Sequence, residues 1–399
     1  GNMIINLNII LIIVFSLIFF RQNVFKIKYC FIDKIIFTYF IFIIFSSFYN
    51  YYFYSLDTVT KNITTPLKSI LFLKYLLLYI VLRFLIEKNL INLKLFFIIA
   101  SLASIFVCID IFFQFFMGQD IFGLKTIGSG RKLGGPFGDE LIAGGFIQRF
   151  SLFSFFLIPL FFKKYLNHYL FKFLIPTFFL IFLFGIILSG NRMPMILFIF
   201  MIFLTVLFHK QTRKFLISFF LVIFLSVSLL YNFNSEVKTN LKNLGRQITT
   251  MQTLVANKEL NNYNNLTYLR EFSSFYETWL LNKYIGGGIK NFRFYCHHRN
   301  NIDKNSKFVC NMHPHNYYLE IMTETGLIGL IIVLIIFSSI FYQAFCKKYL
   351  FKSSLQKNNI IIPFIFLFIA EIFPIKSTGS FFTTGNSTYL FLIIAVLIA

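Results

Sequence analysis

Leu95–Phe116 reads LFFIIASLASIFVCIDIFFQFF, twenty-two residues with one charged side chain, Asp110. The stretch has no polar face and no period-two alternation. Its length is what an α-helix needs to cross a hydrocarbon layer of about 30 Å. Working outward, the same kind of block recurs at Met3–Phe20, Ile35–Tyr54, Leu67–Ile86, Phe146–Phe162, Phe173–Leu188, Met193–Phe208, Phe215–Tyr231, Tyr317–Phe341, Ile360–Ile375 and Thr388–Ala399. The sequence therefore predicts an all-α polytopic membrane protein with about eleven visible spans, the last one clipped. Composition agrees: 57% of the 399 residues are hydrophobic, 13% are charged and 60 are Phe, too apolar for a soluble domain of this size. A transmembrane barrel would show shorter, alternating segments.

The net charge of +22 raises the question of nucleic acid, and the positions of the charges answer it. Lys and Arg cluster between the apolar blocks, at Arg21/Lys26/Lys28, Lys88/Lys94, Lys163/Lys164/Lys172, Lys210/Arg213/Lys214 and Lys347/Lys348/Lys352/Lys357. Short basic loops of this kind are retained in the cytoplasm, so the charge reports topology and no nucleic-acid partner is expected. The alternate loops then face outward: Ser55–Pro66, Met117–Gly145, the tight turn Ser189–Arg192, Asn232–His315 and Lys376–Ser387. The first block lacks a basic start and a small-residue cleavage site, so it is expected to be a retained helix rather than a signal peptide. On this count the N-terminus is external, and one or both termini are expected to be incomplete. Three regions result: an eight-span bundle over 1–231, one large external loop over 232–316, and the C-terminal spans over 317–399.

The long loop contains Leu266, Leu269, Phe272, Phe275 or Tyr276, and Trp279 at helical spacing, which predicts an amphipathic helix lying on or against the bundle. Gly286-Gly287-Gly288 is read as its terminator, because nothing around it resembles a phosphate loop. Four of the six His lie in this loop, at 297, 298, 313 and 315. His-Pro-His is a poor spacing for one tetrahedral ion and no carboxylate motif accompanies it, so no metal is expected. A single histidine at the head of a span reads instead as a general base, the alternative being an ordinary surface residue; His315 is the candidate. Cys296 and Cys310 bracket the segment before His313, and a disulfide there would contribute about 3 kcal/mol in the chain-entropy picture.

Arg192 closes the Ser189-Gly190-Asn191-Arg192 turn between two spans, which holds a guanidinium at the membrane boundary, either for function or snorkelling to the interface. Arg270 shares a helix face with Ser274 and Glu277, compatible with a simple surface ion pair. Two converging arginines would suit a phosphate-bearing lipid, since each offers a planar fork of donors. Apart from Lys74 and Asp110, the spans carry little central charge, unlike a transporter.

Tyr284-Ile285-Gly286-Gly287-Gly288-Ile289-Lys290-Asn291-Phe292-Arg293, then His313-Pro314-His315-Asn316-Tyr317-Tyr318-Leu319-Glu320-Ile321 and Glu324-Thr325-Gly326-Leu327-Ile328-Gly329, resemble the bacterial O-antigen ligase and polymerase family. Phe137-Gly138-Asp139-Glu140, the Arg192 turn and Arg270 with Trp279 add to the resemblance, which covers roughly residues 115 to 345. Members of that family have about twelve spans with the large periplasmic loop after the ninth, whereas here it follows the eighth; a missing first helix would account for this and would place the N-terminus in the cytoplasm. The resemblance implies glycan transfer from an undecaprenyl-diphosphate-linked donor to a hydroxyl on a lipid A-core, another glycan or a protein. It implies no metal, no nucleotide and no other cofactor, in the bacterial inner membrane with the active site facing the periplasm. It places His315, Arg192 and Arg270 in catalysis, with His313, Arg149, Lys132 and Asn316 as further contacts for diphosphate or acceptor.

Overall fold

The computed structural model describes residues 2–54, 61–125, 132–138, 140–162, 169–209, 267–299, 310, 313–350 and 359–399, with scattered residues between 213 and 249. Among these, regular structure is helical, and one isolated bridge, Gln119 to Lys125, is the only β pairing. Six helical segments are long and apolar enough to cross a membrane, and four further apolar helices are shorter. The predicted span Phe215–Tyr231 lies largely outside the described residues, as does much of the segment between 232 and 315.

The chain forms two compact units that interleave in sequence: Gly1–Ile91 with Tyr263–Ala399, and Asn92–Asn262. The first unit holds α1 (Asn2–Phe20), α2 (Phe31–Phe53) and α3 (Thr64–Glu87). The second holds α4 (Leu93–Met117), α5 (Ala143–Phe150), α6 (Leu152–Phe161), α7 (Tyr169–Leu188) and α8 (Arg192–Phe208). The first unit is completed by α9 (Thr267–Leu281), α10 (Phe292–Tyr295), α11 (Tyr317–Phe341), α12 (Ile362–Glu371) and α13 (Thr384–Ile398).

In the first unit α2 and α3 pack together, α13 lies along α3, and α11 packs against both α2 and α9. One end of the α2–α3 pair is tied by buried charges. Arg83 reaches Asp33, bonds Glu87 at 2.8 Å and donates to the Lys28 carbonyl at 2.7 Å. A charge removed from water is tolerable only with such partners, so this network fixes where the two helices cross. Lys74 donates to Asn6 Oδ1 at 2.6 Å, tying α3 to α1.

In the second unit the Phe surplus is packed as rings. Phe155 lies 5.9 to 6.4 Å, centroid to centroid, from Phe179, Phe182 and Phe198, all four buried. The single span expected at Phe146–Phe162 runs through α5 and α6, with Ser151 between them at right-handed helical angles (φ −64, ψ −29). Asp110, the one charge in the opening stretch, accepts from Ile121 N at 2.7 Å. With Gln114, which accepts from Gly135 N at 2.9 Å, it folds the following loop back onto α4.

Candidate active site

Helix α11 starts at Tyr317 because Asn316 caps it. Its side-chain oxygen accepts from Tyr318 N at 3.0 Å and Leu319 N at 3.1 Å. The Asn316 amide donates to Pro374 O at 2.8 Å and Lys376 O at 3.1 Å, so the cap also ties the start of α11 to the segment after α12. Glu320, one turn on and 1% exposed, accepts from Ser380 Oγ at 2.5 Å and Phe381 N at 2.6 Å. Lys376 pairs with Glu371 at 2.6 Å and its ammonium lies 4.4 Å from the centroid of the Tyr317 ring, while Tyr317 OH donates to Glu371. The residue in front of the cap, His315, is held at φ +54, a left-handed conformation that costs a non-glycine residue energy. Its ring stands edge-on to that of His313, centroids 4.4 Å apart.

The glycine run does more than stop a helix. Helix α9 already ends at Leu281, five residues before Gly286. The run instead lies along a break in α11, where Gly326 adopts φ 67, ψ −172. Gly287 N donates to Thr323 O at 3.0 Å, Gly288 N to Glu324 O at 2.8 Å, Leu327 N to Lys283 O at 2.8 Å and Ile328 N to Tyr284 O at 3.2 Å. Backbone groups freed by the break are thus satisfied within protein, the condition for non-helical chain at membrane depth. Helix α2 holds the latch from the other side: Ser46 donates to Ile285 O at 2.7 Å and Asn50 to Gly286 O at 2.7 Å.

Helix α9 buries Glu271, Ser274, Phe275 and Thr278 and leaves Tyr276 and Leu280 exposed, so among the described residues of the expected apolar face only Phe275 is buried, and polar side chains share its face. Phe275 stacks on Phe292, and the two form a small core with Cys296, against which Cys310 and Leu319 pack. Cys296 and Cys310 are joined as a disulfide with Cα atoms 5.8 Å apart. Cys296, Cys310 and His297 are the one described group with ligand atoms close enough, within 4.8 Å of one another, to hold a metal ion. With the sulfurs bonded to each other, that donor set is not offered as thiolates. Glu277 is engaged by Arg299 at 3.5 Å and by Ser273 Oγ at 3.1 Å.

Of the residues the sequence singles out, the first unit places His313, His315 and Asn316 side by side, with Arg270 in the first turn of α9. The second unit holds Arg192 at the start of α8, Arg149 near the end of α5 and the exposed Lys132. Gly144 of α5 sits against the Arg192 turn, where a Cβ would come 2.4 Å from Ser189 Oγ and 2.8 Å from Asn191 Cβ. Glu320, Lys376 and Lys290 were not picked out as site residues by the sequence reading. Two of them stand inside the quoted motifs, but only the contacts show what they hold.

Burial, and then the charges of His315 and Lys290, push the His313 pKa from 6.5 down to about 4. The folded state therefore takes up this proton less readily than the unfolded chain. The associated stability is full above pH 6.5 and is lost as pH falls toward about 4. The drop in melting temperature between pH 7 and pH 4.5 is expected to be smaller in His313→Gln than in the parent protein, measured by thermal unfolding in detergent. Equal drops would show that His313 titrates normally.

The helices and the latch describe a multi-pass helical membrane protein with a polar cluster at the head of α11. Residues 177–334 of this chain match the family model described as O-antigen ligase, a segment that runs over most of α7, α8, α9, the latch and the first part of α11. No curated protein matches the chain.

Proposed function

We propose that the chain transfers a glycan from undecaprenyl diphosphate to a hydroxyl of a lipid A-core, at the periplasmic face of the bacterial inner membrane, by a metal-independent inverting displacement. The observation that supports this best is the His313–His315 pair, braced at the head of α11 inside the segment that matches the O-antigen ligase family. His315 accepts the proton of the attacking hydroxyl as its oxygen bonds to the anomeric carbon. The bond from that carbon to the diphosphate oxygen breaks, and the leaving group carries the negative charge. Arg192 and Arg270 stabilise that charge where water is scarce, and no protein nucleophile is needed once the reactants are aligned. Arg149, Lys132, His313 and Asn316 are further candidates for substrate contact, Asn316 also acting through its cap.

A repeat-unit polymerase or a protein O-oligosaccharyltransferase would use the same parts on a different acceptor. A lipid-linked sugar flippase is a more distant reading. Against it, Asp110 of α4 and Lys74 of α3 are engaged in holding a loop and a neighbouring helix.

The test is a reconstituted assay with a labelled diphosphate-linked glycan offered lipid A-core, a growing glycan and a peptide as alternative acceptors. Transfer to lipid A-core is expected to exceed the others, and transfer to none would overturn the proposal. In the same assay Arg192→Lys and Arg270→Lys are each expected to lower kcat/KM about tenfold or more, because an ammonium cannot reproduce a bidentate fork. Wild-type rates in both variants would remove the arginines from the mechanism.

A further inference from the structure

Three cations that the proposed transfer does not use lie on neighbouring segments of the first unit: Lys68, Lys290 and Arg293. Packing brings these segments together. Gly288 lies against α3, where a Cβ would come within 2.8 Å of Thr65 Cγ2, and Ile289 N donates to Ser47 Oγ at 3.4 Å. Lys290 stands two residues past this contact, Lys68 lies one helical turn past Thr65 on α3, and Arg293 lies in α10. Lys290 and Arg293 both act electrostatically on Lys68, and Lys290 also acts on His313, so the cluster borders the histidine pair. Glu320 and Glu324 both act electrostatically on Lys290, and Glu324 also acts on Lys68, so the two buried carboxyls offset part of this charge. Arg293 is exposed, and its guanidinium lies 5.2 Å from the Phe294 ring centroid, which limits its freedom before any ligand arrives.

We propose that Lys68, Lys290 and Arg293 form an anion subsite on the acceptor side of the transfer centre, taking a phosphate or carboxylate carried by the acceptor glycan. This rests on the transfer reaction proposed above. The side follows from stereochemistry. In an inverting displacement the attacking hydroxyl and the leaving diphosphate lie on opposite faces of the anomeric carbon, and the base must touch the hydroxyl. Cations grouped around the histidines therefore face the acceptor, while the diphosphate falls to Arg192 and Arg270. Gathering like charges is unfavourable by itself, and an arriving anion relieves that cost.

The full chain in nanodiscs is titrated with three probes: a phosphorylated lipid A-core oligosaccharide, the same material after phosphatase treatment, and inorganic pyrophosphate. The phosphorylated oligosaccharide is expected to bind about tenfold more tightly than the treated form. Arg293→Gln, at an exposed position where folding is not at stake, should reduce this preference, and Lys290→Gln with Arg293→Gln should abolish it. Equal binding of the two oligosaccharides by the parent protein overturns the subsite. So does a double variant that keeps the preference, or one that loses pyrophosphate and lipid-linked donor binding instead, which would place the leaving group there. The binding measurement does not depend on turnover. A phosphate preference without transfer would sink the transferase reading and leave the anion subsite standing.

Discussion

Replacing His315 with alanine is expected to lower glycan transfer by roughly 10²- to 10⁴-fold, the usual contribution of a positioned general base. Binding of the lipid-linked donor should change little, because a group that acts on the attacking hydroxyl works mainly in the transition state. The neighbouring ring makes the experiment sharper. His313 is a poor base near neutral pH, since burial and nearby charge hold its pKa down at about 4. His313→Ala should therefore slow transfer much less than His315→Ala. Transfer rates and donor affinities of the two single variants and the double variant would be compared in proteoliposomes. A folded His315→Ala protein with normal transfer would remove the assigned base, and a larger loss in His313→Ala would exchange the two roles.

Gly286→Val is expected to destabilise the first unit by about 3 kcal/mol or more, combining a strained backbone with a clash that cannot relax. Gly286 sits at φ +77, and a Cβ there would come 2.4 Å from Gly326 N and 2.5 Å from Thr325 N, backbone atoms that cannot swing aside. Forcing them apart would break the hydrogen bonds across the α11 break and leave peptide groups without partners at membrane depth. The expected result is a large fall in melting temperature of the detergent-purified protein, with loss of transfer. Gly145→Ala is the control, because a Cβ there meets nothing within 4 Å, and it should melt like the parent. Equal melting of Gly286→Val and the parent would show that the latch does not hold α11.

Much of the helical architecture can be read directly from the chain. Blocks such as Leu95–Phe116 have no polar face, and in hydrocarbon only a helix satisfies the backbone of such a block from within. Helices α1 to α4 accordingly begin and end within about four residues of the blocks read from the sequence. That α9 is a helix is also legible, because periodicity is a local property, although its neighbours decide which face it buries.

The interleaving of α1–α3 with the C-terminal helices is not local. Apolar blocks are nearly interchangeable as sequences, and which ones pair depends on contacts between segments far apart in the chain. The same holds for the glycine run, whose composition suggests a helix terminator. Its actual place along the α11 break depends on Tyr284 and Gly326 meeting across more than forty residues. Arg192 and His315 stand out in sequence because a charge or a titratable ring beside an apolar block is costly and therefore conspicuous, whereas Arg270 sits in the polar loop and is marked by the family resemblance. Lys68, Lys290 and Arg293 look like ordinary loop and interface cations until the packing of Gly288 on Thr65 brings their segments together. Sequence determined which segments are helical and which polar groups sit at their ends, because hydrophobic length and capping are written along the chain. Only the tertiary structure decided which ends share a site, because that depends on backbone approaches that no single segment encodes.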